Sequence, residues 1–326
     1  MSHSVRLSVH AHIVRAPAAA ISLLAVLGSA SAEEGGTGHY LPGSMASFMD
    51  GVPLTETVLM RLNLVSYDGS AGRSQPLPIA GLTAVGVDAK STALGLTMLW
   101  RPAWEIGAGW SYAMSATLPY VWLDVSADVT AQGITARRSS KVNGLGDMVL
   151  LPLMLNQNID PDFNINYRVA AYAPTGSYEL GRLANTGKNF WSVEPTVGFM
   201  YMGQKNGREA SVFVGTTFNQ KNPDTNYKSG TQFHIDATFA QHLPLWGGLA
   251  GVGLEMYYYK QVSDDSGSGA NLGAFRGKTQ GLGPVASFVT KVDGHDLLGE
   301  FKWIHETSTE SRLKGDTVWF KAIYKF

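Results

Sequence analysis

The chain has 326 residues, with 25 Lys plus Arg against 26 Asp plus Glu, 37 Gly and no Cys. A formal charge of −1 offers no basic excess for phosphate, which excludes nucleic acid as a partner. The missing cysteines exclude disulfides, thiolate metal sites and a cysteine nucleophile, and a mean hydropathy of −0.03 suits neither a helical membrane bundle nor a disordered chain.

The first predicted element is an export signal over residues 1–32. Arg6 and Arg15 supply its positive start, APAAAISLLAVL its apolar stretch, and Ala30-Ser31-Ala32 a small-x-small cleavage site. That apolar stretch is too short for a spanning helix, which needs roughly 20 residues. Residues 33–57 come next, with no clear period. They either fold into the interior of the downstream region or remain a flexible periplasmic leader.

From residue 58 onward the recurring signal is alternation of apolar and polar residues. In FNINYRVAA (163–171), Phe163, Ile165, Tyr167 and Val169 oppose Asn164, Asn166, Arg168 and Ala170, a period of two that belongs to a strand with one greasy and one wet face. The same period predicts about twelve strands, near 58–67, 91–100, 104–117, 145–157, 162–173, 189–202, 207–219, 229–241, 246–260, 278–291, 296–307 and 315–326. Pro152 fits a paired strand poorly. Connections alternate between long (68–90, 118–144, 174–188, 220–228, 261–277, 308–314) and short (101–103, 158–161, 203–206, 242–245, 292–295), the layout of a membrane barrel.

The expected fold class is therefore all-β: a transmembrane antiparallel up-and-down β-barrel over 58–326, with short periplasmic turns and longer extracellular loops. A sheet that spans lipid must close to leave no unpaired edge, so the polar faces point inward. Face assignment places Arg61, Glu105, Arg168, Glu194, His234, Asp236, Glu255, Glu300, Lys302 and Lys321 in the lumen. Mixed charges in a bore of modest width either pair off and plug it or line a narrow path. In the last strand Phe320, Tyr324 and Phe326 share the lipid face. This C-terminal pattern resembles the signal that outer-membrane barrels present to their assembly machinery.

Catalytic groups are sparse. No HExxH motif occurs, GLGD (144–147) lacks the setting of a dinucleotide loop, and SDDSGSG (263–269) lacks the last ligand of an EF-hand and reads as an exposed acidic loop. His234 and Asp236 share a face, but no serine adjoins them and no HxSN stretch occurs, so a membrane-embedded lipid hydrolase is the weaker alternative to a channel. No catalytic residue, cofactor or metal is assigned.

Several stretches together resemble the meta-pathway phenol-degradation family of outer-membrane proteins. They are EGGTGHYLPG (34–43), LGD (145–147), APTGSY (173–178), NTGKNFWSVEPTVGFMY (185–201), NPDTNYKSGTQFHID (222–236) and QVSDDSGSGANLGAFRGKTQGLGP (261–284). Where that family often carries a PPPG-like stretch this chain has VPLTET (52–57). The resemblance implies an outer-membrane barrel of a Gram-negative bacterium, surrounded by lipid, that takes up small hydrophobic or aromatic compounds. A barrel whose loops serve surface interaction without transport is the alternative from another class. Oligomeric state is left open.

Overall fold

The computed structural model describes residues 33–104, 106–131, 133–273 and 276–326. The export signal expected at 1–32 lies outside them, and so does Glu105. After one 3-10 turn at Phe48–Asp50 the described chain is strand and connection. The strands are β1 (Thr57–Ala71), β2 (Leu77–Ile79), β3 (Leu82–Arg101), β4 (Trp110–Ala131), β5 (Ile134–Leu145), β6 (Met148–Asn158) and β7 (Phe163–Ala173). They continue as β8 (Ser192–Met202), β9 (Arg208–Asn219), β10 (Gln232–Leu245), β11 (Gly248–Gln261), β12 (Lys278–Val292), β13 (His295–Glu310) and β14 (Lys314–Lys325).

Antiparallel pairing closes these segments into a barrel of twelve strands. Two segments share one position: β4 pairs with β5 along Tyr120–Ala131 and with β6 along Trp110–Thr117. β2 is a short ribbon paired with β3. The ring closes where β1 meets β14, in register from Leu59↔Lys325 to Ser70↔Lys314, and β1 pairs with β3 on its other side.

The period of two decides which side chains meet which solvent. On β1, Met60, Leu62 and Leu64 are exposed while Leu59 and Val65 are buried; on β14, Val318 and Phe320 are exposed while Trp319, Lys321 and Ile323 are buried. Water would not tolerate so continuous an apolar exterior, but lipid requires it. At one rim Trp100 meets Trp104 edge-on and Trp104 stacks on Tyr112, with ring centroids 5.5 and 5.4 Å apart. Such rings suit the boundary between headgroups and hydrocarbon.

Several sequence expectations need correction. Much of 68–90 and 118–144, read as loops, is strand: β3 runs for 20 residues and β4 for 22. Those lengths far exceed the roughly 9–11 residues that cross a bilayer, so β3, β4 and β5 rise above the rest of the wall as a tall sheet. Consequently the β4–β5 and β13–β14 connections are short, and the two loop classes do not alternate strictly. The strand expected at 104–117 begins only at Trp110, and 102–109 is a longer connection than the three residues expected. The turn expected at 242–245 falls at Trp246–Gly247, both with positive φ, which the right-handed twist of a two-residue hairpin demands. Asp293 and Gly294 do the same between β12 and β13. Pro152 does sit within β6, and there the β6–β7 register slips between Leu150 and Leu153, because proline has no N–H for the ladder.

Candidate functional site

Residues 33–52 thread the inside of the ring from the long-loop end downwards, and Leu54, Thr55 and Glu56 emerge exposed before β1. Their polar groups meet inward faces all round it. At the top Glu33 accepts bonds from the Tyr259 hydroxyl and from Arg312 at 2.5 Å. Glu34 accepts from Tyr178 at 2.8 Å and from Asn222 at 2.9 Å, which lie in the connections after β7 and β9. Burial raises the Glu34 carboxyl above the ordinary carboxylate range, and those hydroxyl and amide donors only partly offset it.

Halfway down, the His39 ring lies 2.9 Å from Asp147 and 2.7 Å from Ser192, and it stacks on Tyr172 with centroids 5.1 Å apart. Burial lowers its pKa despite the adjacent carboxylate. Tyr40 stacks on His234 at 3.6 Å and donates its hydroxyl to Asp236, which also accepts the Gly43 N–H at 2.7 Å. At the bottom Asp50 accepts from Lys321 at 2.8 Å and Arg61 at 3.2 Å. Burial opposes its ionisation, yet these two cations outweigh burial and hold its carboxyl below the usual range.

The structure places the expected inward residues as follows. Arg168, Glu194, His234, Asp236, Glu255, Glu300, Lys302 and Lys321 are all buried, and Arg61 is half-buried. Lys321, Glu300, Lys302 and Glu255 form a chain of ion pairs, with Lys321 3.1 Å from Glu300 and Lys302 3.0 Å from Glu255. Lys302 also donates to the Gly43 carbonyl at 2.7 Å. His234 is flanked by Asp236 at 2.9 Å and Glu194 at 3.7 Å, with the Tyr40 ring over its face. Phe320 and Phe326 are exposed, and the Phe326 N–H donates to the Val58 carbonyl at 3.1 Å. Tyr324 packs edge-on against Phe326.

Sequence reasoning missed Glu33, His39, Tyr40 and Asp50, because none lies in a periodic segment. It missed Asp147 as well, although GLGD stands out in the sequence. Asp147 accepts from the Gly176 N–H at 2.9 Å and the Lys188 N–H at 2.7 Å and so pins the loop after β7. Gly176 and Gly187 touch backbone to backbone there, where a Cβ on either would fall under 3 Å from the other. The acidic loop 263–269 is only partly exposed: Asp264 pairs with Arg276, while Asp265 is buried and bonded to Tyr227 and the Gly230 N–H.

The threading segment leaves space along one side of the bore. Three cavities of about 150, 300 and 240 Å³ lie in series there. The upper two share Thr37, Tyr67, Ser91, Lys188 and Leu313; the lower two share His39, Leu41, Pro119, Val149 and Tyr172.

Residues 71–322 match the family model described as "Putative MetA-pathway of phenol degradation". The chain belongs to this family. Among solved structures, this phenol-degradation family member is similar to an outer membrane channel from Pseudomonas putida F1, with TM-score 0.62 and 14% identity, covering 88% of this chain and 100% of that one. At that identity the likeness establishes the fold alone, that of an outer-membrane barrel. A weaker similarity is to the β domain of a Bordetella autotransporter, with TM-score 0.49 and 12% identity, covering 83% and 99% of the two chains. No curated protein sequence matches the chain.

Proposed function

We propose that this family member is a passive outer-membrane channel for small apolar or aromatic molecules. The observation that carries the reading is the series of three cavities with shared walls, running beside the threading segment from the long-loop end to mid-bore. Even the smallest matches the roughly 150 Å³ of an engineered cavity that binds benzene. The walls mix apolar groups such as Ile79, Leu123, Leu183 and Val149 with single polar ones, the usual composition of a small-molecule site. Similarity to an outer membrane channel supports the same reading.

In this reading the leader at 1–32 directs export, and the C-terminal pattern of Phe320, Tyr324 and Phe326 directs insertion. The inward ion pairs, from Arg61 to Lys321, keep residues 33–56 seated so that only the cavity side is open to traffic. Liposomes containing the protein should take up labelled aromatics and fatty acids faster than protein-free vesicles. Equal rates overturn the channel reading.

A further inference from the structure

We infer that the passage selects one- or two-ring aromatic carboxylates, with Lys188 and Arg168 as successive counter-charges; the inference rests on the channel reading above. Four cationic side chains are buried among the described residues: Arg168, Lys302, Arg312 and Lys321. Three have a carboxylate partner, Lys302 with Glu255 at 3.0 Å, Arg312 with Glu33 at 2.5 Å and Lys321 with Asp50 at 2.8 Å. Arg168 differs. Its Nε–H donates to the Asn166 side-chain oxygen at 2.7 Å, one terminal nitrogen to the Asp50 backbone carbonyl at 2.7 Å, and the other to the Met45 sulfur at 3.4 Å. All three acceptors are neutral.

A guanidinium carries five N–H groups, so Arg168 retains one on each terminal nitrogen, and its weakest bond goes to a thioether. That pair is the fork that a carboxylate engages best. Arg168 lines the 240 Å³ cavity together with His39, Asp50, Arg61, Glu194 and Lys321. Of the two carboxylates in that set, Asp50 pairs with Arg61 and Lys321, while one Glu194 oxygen accepts from the hydroxyls of Tyr172 at 3.1 Å and Thr217 at 2.8 Å and the other lies 3.7 Å from His234. Three cations, Arg61, Arg168 and Lys321, against these two carboxylates leave the cavity wall positive. A buried charge without an ion-pair partner is unfavourable, and an anionic ligand relieves it.

Lys188 repeats the arrangement above. It lines both upper cavities, and its ammonium bonds only to neutral oxygens, the Thr37 carbonyl, the Thr37 hydroxyl at 3.0 Å and the Glu34 carbonyl at 3.5 Å. Leu41, Val65, Val149, Tyr172 and Trp319 supply the apolar surface for the ring in the lowest cavity. Glu34, Asp147 and Glu306 also line the upper cavities, but each already accepts from protein donors: Tyr178 and Asn222 on Glu34, the Gly176 and Lys188 N–H groups on Asp147, and Tyr67, Tyr257 and the Gly315 N–H on Glu306. A neutral aromatic would leave Lys188 and Arg168 without an ion-pair partner.

The test titrates the mature protein in detergent with 2-naphthoate, 2-naphthalenemethanol and 2-naphthylmethylammonium, reading affinity by calorimetry. The anion is expected to bind about tenfold or more tighter than the neutral alcohol, the scale of one charge-assisted hydrogen bond, and the amine most weakly. Arg168→Gln should bring the anion-to-alcohol ratio towards one. If that variant fails to insert, Lys188→Met should lower the same ratio. Equal affinities for anion and alcohol in the unmodified protein, or a ratio unchanged in the variants, overturn the inference. A protein that binds both equally and still passes labelled aromatics overturns this selectivity alone; one that passes none overturns the channel reading.

Discussion

Asp265 shows how a single buried carboxyl sets a local pH response. Burial, only partly countered by the bonds from Tyr227, Gly230 and Gln261, pushes its pKa up to about 6. The folded loops then bind a proton more tightly than the unfolded chain does, so their closed arrangement gains stability as pH falls through about 6 and loses it as pH rises. Hydrogen exchange in 220–231, corrected for intrinsic rate, should slow between pH 7.5 and 5, and Asp265→Asn should remove the difference. Asp50 is a case of the opposite sign, a carboxyl held ionised by Lys321 and Arg61. Asp50→Ala leaves Arg61 without its carboxylate and Lys321 with Glu300 alone, and should cost about 3–5 kcal/mol in urea unfolding of the reconstituted protein; a loss under about 1 kcal/mol, the scale of an exposed pair, would mean the ion pairs do not seat the segment. The sequence made one side of these pairs legible and hid the other. Arg61, Lys302 and Lys321 stand out because a charge on an alternating strand has only two faces to choose from, whereas Asp50, Tyr40 and Glu33 sit where no period exists and only packing decides their direction.

At the level of the strand, face assignment governs tolerance to substitution. Phe320 is exposed to lipid and Lys321 is buried against Asp50 and Glu300. Phe320→Arg should destabilise the inserted barrel by about 2–4 kcal/mol if position 320 lies near the bilayer midplane. Its effect would be read as loss of the migration difference between unheated and boiled samples. The alternation that identified β7, β10, β11 and β14 is equally present in VWLDVSADVTA (121–131), a stretch that the reading from sequence assigns to the loop 118–144. Beyond the membrane, β3 and β4 also share a separate apolar cluster, in which Val87, Val125, Ala127 and Val129 pack with Leu77 of β2 and with Leu183 and Leu313 from the connections. Those partners come from three distant parts of the chain, which no local pattern reveals.

For the molecule as a whole, closure was readable from alternation that demands a lipid-spanning sheet without an unpaired edge, while the contents of the bore were not. Removing residues 33–56 should leave a barrel that still inserts but conducts more in planar bilayers, since the side of the bore they occupy would fill with water; unchanged conductance would mean the outer connections alone set the constriction. The position of Asp50 adds a consequence for how the molecule is made. Its carboxylate touches Arg61 on the first strand and Lys321 on the last, strands that pair directly with each other. One side chain of the threading segment thus straddles the seam like a clasp. The clasp gives Arg61 a carboxylate partner and gives Lys321 a second one beside Glu300, so the joint between first and last strands is better neutralised with the segment seated than without it. The threading segment thus favours a docked final strand without being required for it.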